Sequence, residues 1–448
     1  MVTRIPVVAA AQTGKLATFA AVPMDRPGNL GARRMRNARL MLVVALLLGV
    51  ACLVLTSAAA GRPAAHAADA QQCPERYPAQ RDASNPLDLP AAPGADLLTG
   101  ARFFVPGPAK GSAASAIAQL VGLDPKAMSI DESWADFQRK LSTGRLGSKL
   151  AHDRELARQV AELSKIAAQP EAQRLSIYSE GGGPGAIFAQ AEKIFCSNLG
   201  ADPGAIPIFN TYFLHPALGG CPTAAAIDAY MPTFERRVDE MAAATDRRPA
   251  VFLLELDALG SSGCMAGNGA LPAWEAALRY EVNTMGALPH TIVYVEAGYS
   301  DSNSVSYTTR ALNAIGIGHI RGFFTNDTHE NWTINEVRWA TAIARRTGGA
   351  HFIVNTADNG RGPLLNSGSM VKKGVEDLCN PPGRGLGPTD ATNTGFRYDD
   401  AFMWTHPPGN SSGCGGGPAG GVFWPARAIS EAEHANGQLG PGFPSQPY

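Results

Sequence analysis

Seven short apolar runs recur along the chain, and most are separated by longer stretches in which apolar residues recur at helical spacing. Such runs suit strands that are buried on both faces of a parallel sheet, with the helices as crossover connections. Seven strand–helix units favour an α/β fold of the closed or nearly closed barrel type, with an open sheet as the alternative. The runs are residues 175–178, 206–214, 251–256, 291–296, 321–325, 351–355 and 401–405.

Several of the helical stretches carry start signals. Asp153 and Ser304 have side chains suited to N-caps, and Thr333 with Glu336 three residues later predicts a capping box. The stretches are residues 153–168, 186–199, 224–244, 273–285, 304–315 and 333–346.

Parallel strands deliver their last residues to one rim, where such folds place their ligand sites. The chain is polar at these strand ends, although each residue taken singly also fits a solvated loop. The predicted rim residues are Tyr178, Glu180, His215, Asp257, Glu296, Tyr299, Asn326, Asp358, Asn359 and His406.

The first 70 residues have the features of a targeting segment. Arginines at 33, 34, 36 and 39 precede an apolar run of about 20 residues, and small residues around Ala67 suit signal peptidase. A cleaved signal and a retained membrane anchor are both consistent with this run, and the flanking charge predicts export in either case. Residues 71–96, rich in Pro and Ala, predict a linker, and the folded domain is expected over 97–448.

Charge and cysteine content narrow the class of protein. The 448 residues include 38 basic and 39 acidic side chains, so net charge gives no reason to expect a nucleic-acid partner. Six of the seven cysteines lie outside the apolar run, an even set that predicts disulfides in an exported chain. A metal site is the weaker alternative, because these cysteines are far apart in sequence and no His lies at ligand spacing.

The apolar run at 251–256 ends in two carboxylates, Glu255 and Asp257. An acid at the end of an apolar strand can have its pKa raised by burial and remain protonated near neutral pH, as a proton donor requires. The alternative is that Asp257 only caps the segment that follows it.

Motifs in the second half of the chain add a family resemblance. They are residues 255–257 (ELD), 296–299 (EAGY), 378–387 (LCNPPGRGLG), 394–395 (TG), 400–404 (DAFMW), 407–409 (PPG), 417–420 (GPAG) and 423–425 (FWP). Together they resemble glycoside hydrolase family 6, the cellobiohydrolases and endoglucanases that cut β-1,4-glucan with inversion. The resemblance runs from about residue 101 to the last residue and implies a distorted seven-stranded parallel β/α barrel.

The resemblance implies roles for particular residues. It makes Asp257 the proton donor and pairs Cys221 with Cys264 and Cys379 with Cys414, whereas a Cys73–Cys196 pair rests on parity alone. Trp404, like Trp424, is a candidate sugar platform that fits a core position equally well. The candidate substrate-binding residues are Glu255, Glu296, Tyr299, Asn326, His329, Asp358, Trp404 and His406.

Several functional residues of the family pattern are replaced in this chain. Gly220 stands where the family has an Asp that supports the donor, and Ser412 stands where it has the presumed base. Because a neutral hydroxyl accepts no proton at working pH, this loss costs about 10²–10⁴ in rate. Other replacements are His406 and Asn410 in the base motif, and Arg174, Ser302 and Leu378 at stacking tryptophans. The carboxylates and imidazole that could act as base instead are Glu296, Asp301, Asp358, Asp399, Asp400 and His406.

We therefore expect an exported inverting glycoside hydrolase acting on a β-glucan-like polysaccharide or oligosaccharide, with activity reduced or shifted in substrate. The alternative is a non-catalytic glycan-binding protein on the same fold. A serine hydrolase or a nucleotide-binding protein is disfavoured, because the chain has neither a Gly-x-Ser-x-Gly elbow nor a P-loop. We expect a monomer, membrane contact only through an N-terminal anchor, and no metal or organic cofactor, since inverting hydrolysis needs only carboxylates and water.

Overall fold

Among the residues that the structure describes, seven parallel β-strands form one sheet whose spatial order is the order of the strands along the chain. The computed structural model describes residues 98–178, 182–364 and 379–440. Each apolar run found in the sequence overlaps one strand, which confirms the prediction of a seven-stranded parallel α/β fold. The strands are β1 (Gln173–Ser176), β2 (Ile208–Tyr212), β3 (Ala250–Leu254), β4 (Thr291–Glu296), β5 (Gly322–Thr325), β6 (His351–Asn355) and β7 (Asp399–Met403).

Helices connect consecutive strands from β1 to β6, and a group of helices precedes β1. The six predicted helices are present with ends shifted by a few residues. The helices are α1 (Ser112–Leu120), α2 (Trp134–Leu141), α3 (Gly144–His152), α4 (Arg154–Ala167), α5 (Ala186–Ala201), α6 (Leu214–Leu218), α7 (Ala224–Thr245), α8 (Gly263–Asn268), α9 (Leu271–Gly286), α10 (Val305–Ile315), α11 (Thr333–Ala344) and α12 (Pro425–Glu433).

Two of the three helix-start predictions are confirmed. Asp153 accepts a hydrogen bond from the backbone of Leu156 at the start of α4, and Ser304 accepts one from Tyr307 at the start of α10. The capping box at Thr333 is wrong. Glu336 instead accepts hydrogen bonds from the Ser300 amide (3.0 Å) and the Asn331 side chain (2.9 Å), contacts that bring together segments following β4 and β5.

Alternate residues of strands β2 to β7 pack into two different cores. On β3, Phe252 and Leu254 belong to the cluster packed against the helices, whereas Val251 and Leu253 belong to a second cluster inside the curved sheet. This two-sided burial is why the run is apolar throughout. A third cluster joins helices α1, α2 and α4 to α12.

All described residues belong to one compact unit. Over residues 98–178, 182–364 and 379–440, none of the helices has the length and apolar character that a membrane span needs. The predicted targeting segment and linker, together with Cys73, Glu180 and Leu378, lie outside the described residues. The domain boundaries therefore stay predictions.

Candidate functional site

A cavity of 830 Å³ opens at the rim formed by the carboxyl ends of the strands. It receives side chains from the ends of β1, β2, β3, β5 and β6 and from the long segment after β7. Five residues predicted for the rim or for substrate binding line it: Tyr178, Asp257, His329, Asp358 and His406. The cavity therefore lies at the rim where the strand pattern predicted a ligand site.

Asp257 lies three residues beyond the end of β3 and is half-buried in the cavity wall. Its φ angle is +62°, and that of Glu255 is +51°, values that non-glycine residues adopt only at some energetic cost. Oδ1 of Asp257 accepts hydrogen bonds from the hydroxyls of Tyr299 (2.6 Å) and Thr328 (3.1 Å). Oδ2 accepts none from the described residues, which leaves it for a ligand.

Tyr299 does not line the cavity but supports Asp257 from behind. Its ring stacks on the imidazole of His329 with 3.7 Å between ring centroids, and Nδ1 of His329 lies 2.8 Å from Asp301. Burial raises the pKa of the Tyr299 hydroxyl well above its usual range, and the charges of Asp257 and Glu296 add to this effect. Burial alone would lower the pKa of His329, but the adjacent Asp301 carboxylate outweighs it and the pKa is raised.

Glu255 and Glu296 are completely buried and bind backbone amides rather than the cavity. Glu255 accepts hydrogen bonds from the amides of Phe213 and Leu214, and Glu296 accepts them from those of Leu259 (2.7 Å) and Gly260 (3.0 Å). Burial raises the pKa of Glu255 to about 7 and that of Glu296 well above its usual range. We therefore do not propose either residue as a substrate contact.

Asn326 and Trp404 also face away from the cavity. Asn326 has a φ of +68°, and its amide donates to the carbonyls of Asn331 (3.1 Å) and Asn355 (3.0 Å), which ties the ends of β5 and β6 together. Trp404 is 2% exposed and lies in the core cluster that contains Leu386 and Ala428. Its indole is a packing element in this structure.

Asp327 is a carboxyl group near the site that the sequence pattern did not single out. It is fully buried two residues beyond β5, and the Thr405 hydroxyl donates to its Oδ1 at 3.1 Å. Burial raises the pKa of Asp327 to about 6, the charge of Asp257 raises it further, and His406 and Arg174 oppose the rise. Asp327 therefore lies close enough to Asp257, the predicted proton donor, for their charges to interact.

Glu330 and Arg427 are two further cavity residues that the sequence pattern missed. One available signal was that residues 326–330 follow β5 directly, so the strand-end rule that selected Asn326 also covers Asp327 and Glu330. No comparable signal marked Arg427, because it lies in helix α12.

The remaining carboxylates considered as replacement bases lie elsewhere. Asp301 is 3% exposed and is bonded to His329 and Asn331. Asp399 and Asp400 begin β7, at the opposite end of the sheet, where Asp400 pairs with Arg321 at 2.7 Å. None of the three lines the cavity.

Some of the positions at which the family pattern is replaced border the cavity. Arg174, Asn410 and Ser412 line it, and the Arg174 guanidinium lies 5.6 Å from the centre of the Tyr212 ring.

Cys221–Cys264 and Cys379–Cys414 are disulfide-bonded with Cα separations of 5.9 and 5.8 Å, which confirms both predicted pairs. Cys196 is also in a disulfide, and its pairing with Cys73 stays a prediction.

The chain matches a family model and several known proteins. Residues 217–427 match the model of "Glycosyl hydrolases family 6". Endoglucanase A of Cellulomonas fimi is 31% identical over 277 residues, covering 61% of this chain and 56% of that protein. Endoglucanase 1 of Streptomyces sp. (strain KSM-9) is 30% identical over 277 residues, covering 60% of this chain and 70% of that protein. The chain thus spans little more than half of the first relative's length.

Solved structures show the same fold. The endoglucanase Cel6 from Mycobacterium tuberculosis, in complex with methyl-cellobiosyl-4-deoxy-4-thio-β-D-cellobioside, has a TM-score of 0.59 at 25% identity. That alignment covers 76% of this chain and 99% of the other. A GH6 enzyme of Orpinomyces sp. Y102 has a TM-score of 0.55 at 17% identity, covering 76% and 99%, a likeness of fold alone.

Proposed function

Because the chain belongs to glycosyl hydrolase family 6, we propose that it is an exported glycoside hydrolase that cleaves a β-1,4-linked glucan with inversion. Asp257 is the proton donor in this proposal, and the replaced family residues reduce the activity or shift its substrate. The observation that carries the proposal is the position of Asp257, held by Tyr299 and Thr328 in the wall of an 830 Å³ cavity.

The surroundings of Asp257 suit proton donation. Both hydrogen bonds reach Oδ1, so Oδ2 can carry the proton towards the glycosidic oxygen. Leu256 also lines the cavity and Ala258 is buried, so the carboxyl group has apolar neighbours on both sides along the chain.

Two tyrosines at the cavity are suited to binding a sugar ligand. Tyr178 is 76% exposed and Tyr212 is half-buried, and both line the cavity. An exposed aromatic face can pack against the C–H surface of a glucose ring. The Mycobacterium tuberculosis relative was solved with a cello-oligosaccharide analogue, which makes a β-1,4-glucan the first substrate to test.

The test is the release of reducing ends by the purified protein from a panel of β-glucans, α-glucans, mannans and arabinans. We expect turnover of a β-1,4-glucan, with the α-anomer appearing first by NMR, and loss of turnover in Asp257→Asn. Asp228→Asn, an exposed position on α7, is the matched control and should match the wild type. No turnover on any glycan at high protein concentration would overturn the proposal.

A second candidate function is non-catalytic glycan binding on the same rim. It is favoured by Asn410 and Ser412, which line the cavity where the family pattern has carboxylates. This alternative predicts oligosaccharide binding by calorimetry that Asp257→Asn leaves nearly unchanged. Detectable turnover that depends on Asp257 would exclude it.

The proposal extends to the organisation of the chain, with residues 1–70 for export, 71–96 as a linker and 97–448 as a monomeric hydrolase domain. Sequencing the N-terminus of protein recovered from the culture medium, and from the membrane fraction, tests it. A start near residue 68 in the medium indicates a cleaved signal, an intact N-terminus in the membrane fraction indicates an anchor, and retention in the cytoplasm contradicts both.

A further inference from the structure

Only three carboxyl groups among the described residues line the cavity: Asp257, Glu330 and Asp358. Asp257 lies three residues beyond β3 and Asp358 three residues beyond β6, with β4 and β5 between these strands in the sheet. The two side chains therefore enter the same cavity from separated strand ends. This arrangement suits a reaction that needs one acid and one base on different sides of a bond.

Asp358 belongs to a buried cluster that also contains Glu330, Glu431 and Arg427. Oδ2 of Asp358 lies 3.5 Å from Nε2 of His406, and Oδ1 is buried and accepts no hydrogen bond from the described residues. Arg427 contacts Glu431 at 2.8 Å, without the alignment of a hydrogen bond, and lies 3.8 Å from Glu330. Burial disfavours several negative charges in one place.

The two glutamates of the cluster have raised pKa values. Burial raises the pKa of Glu431 well above its usual range, and the charge of Asp358 raises it further. Burial also raises the pKa of Glu330 to about 7. Asp358 is the carboxyl group of this cluster that lies beside the imidazole of His406.

His406 is arranged to hold Asp358. Its Nδ1 lies 3.2 Å from the carbonyl of Pro407, which can only accept, so Nδ1 carries a hydrogen. Nε2 then faces Oδ2 of Asp358 at 3.5 Å and the amide of Asn355 at 3.4 Å.

We propose that Asp358, positioned by His406, is the base that takes a proton from the hydrolytic water. The inference rests on the proposed hydrolase function and supplies the second carboxylate that Ser412 cannot provide. The water oxygen forms a bond to the anomeric carbon while its proton passes to Asp358. The glycosidic C–O bond breaks, its electron pair goes to the leaving oxygen, and that oxygen takes the proton of Asp257. Solvent then returns both groups to their starting states.

The experiment compares Asp358→Asn with wild type, Asp257→Asn and the exposed control Asp228→Asn on a soluble β-1,4-glucan. We expect Asp358→Asn to lower kcat by about 10²–10⁴-fold, with little change in KM and loss of the acidic limb of the pH profile. Azide, a nucleophile that needs no base, should restore turnover in Asp358→Asn and yield a glycosyl azide detectable by mass spectrometry. It should not restore Asp257→Asn.

Two further variants keep the result interpretable. Asp358→Glu retains the carboxylate and should show higher turnover than Asp358→Asn, with no stimulation by azide. If Asp358→Asn misfolds, Asp358→Glu still tests the inference. His406→Asn should move the acidic limb without abolishing turnover, as expected of a positioning residue.

The failures are distinguishable. If Asp358→Asn keeps about a tenth or more of wild-type kcat while Asp257→Asn is inactive, the inference falls and the hydrolase stands. If Asp358→Glu folds and is as inactive as Asp358→Asn, and azide restores neither, the inference also falls. If the wild type releases no reducing ends from any glycan, both fall.

Discussion

The hydroxyl of Tyr299 donates a hydrogen bond to Oδ1 of Asp257 at 2.6 Å, and Tyr299 is itself held by a stacked imidazole at 3.7 Å. A hydrogen bond of this length fixes the orientation of the Asp257 carboxyl group. Tyr299 therefore positions the group that donates the proton in the proposed reaction.

The first prediction concerns this hydrogen bond. Tyr299→Phe removes the donor that orients the Asp257 carboxyl group, so kcat on a β-1,4-glucan should fall about tenfold with little change in KM. Tyr307→Phe is the matched control, because the Tyr307 hydroxyl contacts Ser262 at 2.7 Å and does not line the cavity. A wild-type kcat in Tyr299→Phe would contradict the role given to Tyr299.

The second prediction concerns stability and pH. Glu255 and Glu281 are both completely buried, and both are linked to the hydroxyl of Thr211: the Glu255 amide donates to it at 2.7 Å, and it donates to Glu281 at 3.0 Å. Burial raises the pKa of Glu281 well above its usual range, with the charge of Glu255 adding to it, and burial raises the pKa of Glu255 to about 7.

The sign follows from proton binding. Above the ordinary pKa near 4.5 the unfolded chain has released protons that the native state still holds, so the free energy of unfolding falls as pH rises towards 7. One such group contributes at most about 1.4 kcal/mol per pH unit. Urea denaturation at pH 5, 6 and 7 should show this fall, and Glu281→Gln should flatten it relative to Asp228→Asn. Equal slopes in the two variants would refute the assignment.

The third prediction separates a packing aromatic from a sugar-binding one. Trp404 is 2% exposed in the core, whereas Tyr178 is 76% exposed at the cavity. Trp404→Leu should lower the free energy of unfolding by about 3 kcal/mol and leave cello-oligosaccharide affinity unchanged. Tyr178→Ala should preserve stability and weaken binding about fivefold, as expected for the loss of about 1 kcal/mol of stacking. Chemical denaturation measures the stability and calorimetry the affinity. If Trp404 were the sugar platform, Trp404→Leu would weaken binding and Tyr178→Ala would not.

The fourth prediction uses the two disulfides as a matched pair. Cys379 and Cys414 both line the cavity, whereas Cys221 and Cys264 do not. The sequence separations are 35 and 43 residues, so replacing either pair by serine should lower the free energy of unfolding by a similar amount, at most about 4 kcal/mol. Only the Cys379/Cys414 double variant should also weaken glycan binding. Equal binding losses in the two double variants would argue against a cavity role for the second disulfide.

The architecture could be predicted from the amino-acid pattern alone. Runs such as the one at 251–256 predict buried strands because burial on both faces requires apolar residues at successive positions, a property that short segments reveal. The helix caps at Asp153 and Ser304 were also predictable, because each side chain accepts a hydrogen bond from an amide only three residues away. The resemblance of local motifs also identified the family and the pairs Cys221–Cys264 and Cys379–Cys414.

Which polar residues at the strand ends face the cavity became known only from the folded structure. Glu255 and Asp257 are two residues apart with the same chemistry, yet Glu255 is buried under the amides of Phe213 and Leu214 whereas Asp257 lines the cavity. The direction of each side chain depends on a positive φ and on partners roughly 40 residues away along the chain. Sequence spacing does not encode those partners, because they meet only when separate strands come together.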